Sequence, residues 1–206
     1  MSDKAHWEKV YADRASDAQS WFQQYPARSL ELIASCGADR DTVIIDVGGG
    51  ASGLTAELLR LGYSELWVMD ISAAALTAAS RNIGEGANRV HWVEADVTSA
   101  QLPSGHFDIW HDRAVFHFLV TEADRHAYVS TALRAVKPGG HLVIATFAED
   151  GPERCSGLPV ARYDAVSLAA QFGPACELLR TEKEMHRTPA GQIQSFRYTF
   201  WRRKLD

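Results

Sequence analysis

A glycine-rich segment follows an apolar, β-branched stretch early in the 206-residue chain. Gly48–Gly53 fits the spacing G-x-G-x-x-G between a predicted strand and a predicted helix. Glycines permit a tight turn and let backbone come close to a ligand, and the new helix offers unpaired N–H groups and a partial positive charge. The segment therefore predicts a site for a phosphate or a carboxylate, with a purely structural turn as the alternative.

Three aspartates mark the ends of three consecutive predicted strands. Asp46 lies two residues before the first glycine, Asp70 ends the second strand, and Asp96 follows the third. Because open α/β sheets bind ligands at the carboxyl ends of their strands, the three side chains are expected to line one site. Their chemistry suits an ammonium group at Asp46, a ribose diol at Asp70 and an exocyclic amine at Asp96. Taken singly, each also fits a surface or capping aspartate.

The glycine segment and the ordered aspartates resemble the class I S-adenosylmethionine-dependent methyltransferases, over roughly residues 42–146. The resemblance implies that the glycine segment faces the methionine end of the cofactor, that Asp70 binds the ribose hydroxyls and that Asp96 binds the adenine amine. It also implies a structural turn at Val136–Leu142. The implied cofactor-binding residues are Tyr11, Asp46, Gly48, Gly49, Gly50, Asp70, Ile71, Asp96, Val97 and His111.

A nicotinamide-dependent short-chain dehydrogenase is the nearest competing interpretation, because such enzymes share the glycine turn. Their chemistry uses a tyrosine acid, commonly with a lysine four positions later. None of the six tyrosines has a lysine at that spacing, and no second domain is indicated. The methyltransferase interpretation is therefore favoured.

His111 and His117, in the segment around the end of the fourth predicted strand, are the candidate catalytic bases. In the resembling family this segment borders the transferred methyl group. Methyl transfer needs a nucleophile aligned at about 3 Å from the methyl carbon, and a base only when the nucleophile carries a proton at working pH. Histidine titrates near neutrality, although the alternative for His117 is packing beneath the cofactor. Asp112 and Arg113 are expected to pair with each other or to shape the pocket.

Aromatic residues near the N-terminus are candidates for closing the site. In many members of the resembling family an N-terminal helix folds over the cofactor. Tyr11 is then placed to bond the methionine carboxylate, and Trp21 or Phe22 to wall the substrate. Aromatic residues at helical spacing are equally typical of a core.

A long segment, residues 147–163, follows the fifth predicted strand, and loops of this length are commonly functional. It supplies Cys155, Arg162 and Tyr163 as candidates for substrate contact or for a lid, while His186 and Gln194 are weaker candidates for the pocket rim. The predicted substrate-side residues are Trp21, Phe22, Arg113, Cys155 and Arg162.

Alternating strands and helices must position these residues, and this order predicts βαβ units with a parallel sheet. Two final strands around a short turn predict an antiparallel hairpin. The prediction is one α/β domain with a Rossmann-like three-layer sandwich, whose mostly parallel seven-stranded sheet has an antiparallel C-terminal strand. Its parts are a helical cap (1–37), a cofactor-binding core (42–146), and a substrate-side loop, helix and hairpin (147–206). Predicted strands are 42–47, 65–69, 90–94, 107–111, 141–146, 178–187 and 194–203, and predicted helices include 54–61, 73–82, 122–136 and 165–172.

Composition narrows the classes of partner. The net charge of −5 lacks the basic footprint of a nucleic-acid binder. Three cysteines with no zinc spacing predict a reduced, cytoplasmic protein with no metal site, and no apolar run approaches the roughly 20 residues of a membrane span.

The sequence thus predicts S-adenosylmethionine-dependent methyl transfer to an N, O or S atom of a small molecule. The alternatives are a protein lysine or amine methyltransferase, or a module that binds the cofactor without catalysis. The segment at 111–114 lacks the Asn/Asp-Pro-Pro-Tyr/Phe motif of enzymes that methylate nucleic-acid bases, and it departs from the Asp-Lys-Gly segment of many lysine-methylating relatives.

Overall fold

A computed structural model describes residues 4–13, 16–50 and 52–205. The start of the predicted cap, residues 14–15 and Ala51 of the glycine segment lie outside this range. The helices are α1 (Lys4–Asp13), α2 (Ala27–Ser35), α3 (Leu54–Arg60), α4 (Ala73–Ile83), α5 (Glu122–Ala135) and α6 (Ala165–Phe172). The strands are β1 (Ile44–Val47), β2 (Leu66–Asp70), β3 (Val90–Glu94), β4 (Phe107–Arg113), β5 (Val136–Phe147), β6 (Arg154–Cys155), β7 (Leu158–Pro159), β8 (Cys176–Arg187) and β9 (Ile193–Arg203).

Seven strands form the main sheet in the order β3-β2-β1-β4-β5-β9-β8. The first five run parallel, β9 is antiparallel to β5, and β8 is antiparallel to β9. This arrangement confirms the predicted fold class. The order reverses between β1 and β4, which is the switch point where such sheets bind ligands beyond their strand ends.

Helices cover both faces of the sheet. On one face, Tyr128 of α5 and Phe172 of α6 pack in the same cluster as Trp110 of β4. On the other face, Leu32 and Ile33 of α2 belong to two further clusters. Along β1, β5 and β9, the strand residues in these clusters alternate with those of the first cluster. All four residues of β1 are buried, as expected for a parallel strand covered on both sides.

The predicted element bounds differ from the structure in two places that bear on the site. Strand β5 begins at Val136, five residues before the predicted strand, and the predicted turn lies inside it as an irregularity opposite Phe107 and Ile109 of β4. The predicted helical cap (1–37) is interrupted, because α1 ends at Asp13 and α2 begins at Ala27, directly after Pro26. The non-helical segment Gln19–Gln23 that lies between them crosses the carboxyl edge of the sheet, and we refer to it as the strap.

Candidate cofactor and acceptor site

Two adjoining cavities open at the carboxyl edge of β1, β2 and β4. The larger has a volume of about 710 Å³, including its mouth, and the smaller about 440 Å³. Trp21, Gly48 and Arg113 line both. The two cavities therefore adjoin at the glycine loop.

The glycine loop leaves no room for side chains. Gly48 has a φ of +65°, and a Cβ atom there would lie 2.0 Å from Cγ2 of Val115. A Cβ atom on Gly50 would lie 2.6 Å from Oδ2 of Asp70. At Gly48 and Gly50 the backbone therefore comes close to the strand ends, which is the approach that a nucleotide-bearing ligand needs.

Asp70 is held against this loop at the end of β2. Its carboxylate accepts the N–H groups of Gly50 at 3.2 Å and Ser72 at 2.9 Å. The side chain is 7% exposed, and burial raises its pKa to about 6, with the neighbouring N–H donors opposing that rise. It lines the larger cavity beside Ile71, so a pair of ribose hydroxyls has an acceptor there.

Asp96 and Val97 line the far end of the same cavity. Oδ1 of Asp96 accepts the N–H of Thr98 at 2.9 Å and its hydroxyl at 2.7 Å, which fixes the carboxylate on the turn after β3. Val97 is buried beside it. An oriented carboxylate next to an apolar surface suits a purine with an exocyclic amine.

Asp46 takes part in a buried hydrogen-bonded chain. Its Oδ1 lies 2.7 Å from Nδ1 of His111, and its Oδ2 accepts the hydroxyl of Ser52 at 3.0 Å. Nε2 of His111 lies 2.8 Å from Oγ of Ser29. The sheet register places Asp46 opposite His111. Helix α2 contributes Ser29, a residue that the sequence analysis missed because no local pattern marks it. Asp46, His111 and Ser29 all line the smaller cavity.

Arg113 links four parts of the structure. Its Nε donates to the Tyr198 hydroxyl at 2.9 Å and its Nη1 to the Trp21 carbonyl at 2.8 Å. The guanidinium carbon lies 4.3 Å from the centre of the Phe196 ring, and Nη2 is 3.7 Å from the Glu184 carboxylate. The expected pairing of Arg113 with Asp112 is wrong, because buried Asp112 instead accepts the Tyr128 hydroxyl and backbone N–H groups.

Comparison with known proteins supports the predicted family. A family model described as a methyltransferase domain matches residues 44–140, which hold the glycine loop and all three aspartates. The matched segment, just under half of the chain, is therefore similar to a methyltransferase domain, as the resemblance to the class I S-adenosylmethionine-dependent family predicts. The cofactor of this family, S-adenosylmethionine, fits the residues present, because the glycine loop offers a side-chain-free cradle and Asp70 and Asp96 offer acceptors.

Three similar proteins illustrate the range of this family. The ubiquinone/menaquinone biosynthesis C-methyltransferase of Shewanella halifaxensis is 27% identical over 57% of this chain and 47% of its own. The N-methyltransferase NodS of Bradyrhizobium japonicum, solved with S-adenosylhomocysteine, is 14% identical with a TM-score of 0.72, over 98% of this chain and 99% of its own. The Burkholderia thailandensis 1,6-didemethyltoxoflavin-N1-methyltransferase was solved with bound 1,6-didemethyltoxoflavin and S-adenosylhomocysteine. It is 20% identical with a TM-score of 0.70, over 98% of this chain and 84% of its own.

At 20% and 14% identity, these two structures show that the fold is shared and nothing more. The chain spans less than two thirds of the length of the curated relatives it matches, from 4% to 62%.

The N-terminal cap lies over the larger cavity. Trp7 and Tyr11 of α1 line it together with Trp21 of the strap. Burial raises the pKa of the Tyr11 hydroxyl well above its usual value, and the Asp70 carboxylate adds to that effect. Tyr11 therefore stays a hydrogen-bond donor, as a contact with a carboxylate requires. Phe22 lines the smaller cavity.

Not every predicted site residue reaches a cavity. His117 is completely buried and lines neither cavity, because Phe147 and Phe196 pack around its ring and its Nδ1 accepts the N–H of Phe147 at 3.1 Å. Burial lowers its pKa to about 3, with the Arg113 charge contributing. The structure thus places His117 in the core, in agreement with the packing alternative.

No described residue of the long segment after β5 lines either cavity. Cys155 is buried in the cluster against which Trp21 packs, and burial raises the pKa of its thiol to about 11. Arg162 is exposed and pairs with Glu153 at 3.1 Å. A substrate-side role for Cys155 and Arg162 stays a prediction. Tyr163 packs on Phe116 in the core.

Two candidates for the pocket rim act elsewhere. His186 holds the strap from behind, with its Nε2 2.8 Å from the Ser20 carbonyl, and Gln194 is buried in β9 without lining either cavity. Within the described ranges no group of three or more His, Cys, Asp or Glu side chains could hold a metal ion. In the same part of the chain, no helix combines the length and apolar character that crossing a membrane requires.

Proposed function

We propose that this methyltransferase transfers the methyl group of S-adenosylmethionine to a nucleophilic atom of a small molecule. The observation that carries the proposal is that Gly48, Trp21 and Arg113 line both cavities. Asp70 and Asp96 line the larger cavity together with aromatic rings of the cap, and Asp46 lines the smaller one. A cofactor held by these acids would place its methyl group near the residues that the two cavities share.

The residues of the cofactor side have distinct tasks. Asp70 accepts the ribose hydroxyls, while Asp96 and Val97 hold the adenine amine and ring. Asp46 and the glycine backbone receive the amino-acid end, and Tyr11 donates to its carboxylate. The bound cofactor supplies an electrophilic methyl group on a sulfonium, so the chain has to position the nucleophile rather than activate the methyl.

His111 keeps Asp46 in place in this proposal. Both of its ring nitrogens have hydrogen-bond partners, Asp46 and Ser29. If the acceptor releases a proton, His111 can act as the base only when the hydrogen bond between its Nε2 and the Ser29 hydroxyl is broken. The strap and the α1 aromatics meanwhile exclude water from the reacting atoms, which strengthens the local electrostatic interactions.

The accepting atom is open to more possibilities than the sequence suggested. Nitrogen, oxygen and sulfur were predicted, and one relative is named a C-methyltransferase. A carbon atom is therefore a further candidate for the atom that receives the methyl group.

We also infer a cytoplasmic location. Cys36, Cys155 and Cys176 are all free thiols in the structure, which supports a reducing compartment.

One labelling experiment tests the proposed function against its alternatives. The chain is incubated with methyl-labelled S-adenosylmethionine and a cell extract, and the products are separated by size. Label in the small-molecule fraction is expected, and the Asp70→Ala variant is the control that should transfer less. Label only in protein would favour a lysine or amine methyltransferase, and no label despite measurable cofactor binding would favour a non-catalytic module.

A further inference from the structure

Aromatic rings line the larger cavity, and the buried cation Arg113 lies where the two cavities adjoin. We infer that the methyl acceptor is a flat aromatic molecule that binds as an anion, and that Trp21 and Arg113 select it. The inference rests on the proposed function and names the substrate class for it.

The aromatic walls come from the cap and from the segment after β4. The ring of Trp7 lies 5.0 Å from that of Phe118 and 5.8 Å from that of Trp21, both edge to face. Tyr11 meets Trp21 at 6.3 Å in the same arrangement. All four rings line the larger cavity. Rings fixed in this way present rigid faces and edges, which favour a planar aromatic partner over a saturated one of equal volume.

Arg113 brings a permanent positive charge to the junction of the cavities. Its side chain is 9% exposed, and bonds to Tyr198 and Trp21 fix its position. Its Nη2 is buried and makes no hydrogen bond to the described residues. Glu184, at 3.7 Å, offsets part of the charge, but its side chain is 20% exposed and therefore more strongly screened by water.

The acidic residues that line the cavities are already used by the cofactor. Among the described lining residues they are Asp46, Asp70 and Asp96, one for each polar part of the cofactor. A cationic amine would therefore meet Arg113 and no available carboxylate, whereas an anion would meet a favourable potential. This charge distribution favours an aromatic anion over a protein lysine as the methyl acceptor.

An anionic acceptor also removes the need for a base. The nucleophilic atom forms a bond to the methyl carbon as the carbon–sulfur bond breaks, and the bonding electrons stay on sulfur as a thioether. The negative charge of the acceptor and the positive charge of the sulfonium cancel in this step, which a low-dielectric cavity favours. The absence of a proton to remove agrees with a His111 whose two nitrogens are occupied.

Binding of three probes with one carbon skeleton tests the inference. The chain is first loaded with S-adenosylhomocysteine, and the affinities of 2-naphthoate, 2-naphthylmethylammonium and decahydro-2-naphthoate are then measured by calorimetry. We expect 2-naphthoate to bind about tenfold more tightly than the cationic probe. It should bind about threefold to tenfold more tightly than the saturated anion.

Four variants assign the selectivity. Arg113→Gln should abolish the preference for the anion, while Arg113→Lys keeps the charge and should retain most of it. Glu184→Gln, at a more exposed position, should act in the opposite direction and tighten 2-naphthoate binding. Trp21→Leu should reduce only the preference for the aromatic probe over the saturated one.

The outcomes separate this inference from the proposed function. A folded chain that does not bind S-adenosylhomocysteine would overturn both. A loaded chain that binds 2-naphthylmethylammonium as tightly as 2-naphthoate would overturn only the anionic class, and so would a Glu184→Gln variant that weakens 2-naphthoate binding. Should Arg113→Gln fail to fold by circular dichroism, the Glu184 variant and the wild-type comparison still decide.

Discussion

Asp70 combines a functional position with an unusual protonation equilibrium. Burial raises its pKa to about 6 in the ligand-free chain, so its charged form is complete only above that pH. The carboxylate is the stronger acceptor for hydroxyl donors. We therefore expect affinity for S-adenosylmethionine to fall several-fold between about pH 7.5 and pH 5.5.

Titration calorimetry across this range measures the effect. Asp70→Asn is the matched control, because it removes the titrating group and should show weaker binding with a flatter pH dependence. A wild-type curve as flat as that of the variant would contradict the role of the Asp70 carboxylate.

Ser29 is expected to stabilise the chain that orients Asp46. Its hydroxyl lies 2.8 Å from Nε2 of His111, and both side chains are buried. Removing one partner of a buried hydrogen bond costs about 1–3 kcal/mol, so Ser29→Ala should lower the free energy of unfolding by about that amount. Chemical denaturation measures it, and Ser104→Ala, at an exposed hydroxyl bonded to the Arg134 carbonyl, should change little. Equal midpoints for the two variants would argue against the chain.

Individual residues differ in how far the sequence could predict them. The cavity positions of Asp46, Asp70 and Asp96 follow from their places at consecutive strand ends, which a parallel sheet brings to one edge. Ser29 and the core position of His117 depend on packing between distant segments, α2 against β4 and β9 against the segment after β4. The local sequence contains no pattern that predicts either of these two positions.

Helix α1 packs on the rest of the molecule through the rings of Trp7 and Tyr11, although none of its residues is fully buried. Glu8 adds a polar link by accepting the N–H groups of Ala73 at 2.7 Å and Ala74 at 3.2 Å. These groups form the start of α4, directly after the ribose-binding segment. A carboxylate at a helix N-terminus is favoured by the helix dipole.

Neutralising Glu8 should therefore loosen the cap. Glu8→Gln is expected to raise the hydrogen-exchange rates of the α1 amides and the dissociation rate of S-adenosylmethionine by several-fold, as measured by mass spectrometry and stopped-flow fluorescence. Glu65→Gln, at an exposed position before β2, is the control. Unchanged exchange in α1 would show that Glu8 does not hold it.

Strands and helices were predictable where hydrophobic period and breakers agree. Val90–Glu94 and Ala165–Phe172 have the predicted bounds. The start of β5 was not predictable, because Lys137, Pro138 and the two glycines that follow have the composition of a turn. In the structure the pairing of Val136 with Phe107 resumes the ladder beyond this irregularity. The strap was missed because its conformation depends on Arg113 and His186, which contact its backbone from other elements.

The whole fold was predictable because its order of strands and helices permits few topologies. Right-handed crossovers and short connections limit a βαβ series to an open parallel sheet, and the short final turn requires an antiparallel hairpin. The strand order, with its reversal between β1 and β4, was not predicted and is known from the structure. The shape of the cavities was not predictable either, since it depends on where the cap and the C-terminal hairpin meet.

Ligand binding should stabilise the molecule as a whole. A ligand at about 100 times its Kd adds about 2.7 kcal/mol to the free energy of unfolding. For a chain of this length that corresponds to an increase in Tm of about 5–11 °C. Differential scanning calorimetry with S-adenosylhomocysteine measures the shift, and methionine alone should give a much smaller one. A Tm that the ligand leaves unchanged would contradict binding to the folded state.

Calorimetric titration of S-adenosylmethionine into the wild-type chain and into Asp70→Ala tests the central claim most directly. Loss of hydrogen bonds to a charged acceptor costs about 1.5–3 kcal/mol, so the variant should bind at least about tenfold more weakly, with an unchanged circular dichroism spectrum. Equal affinities for the two chains, or no binding to the folded wild-type chain, would contradict the assignment of this edge of the sheet as the cofactor site.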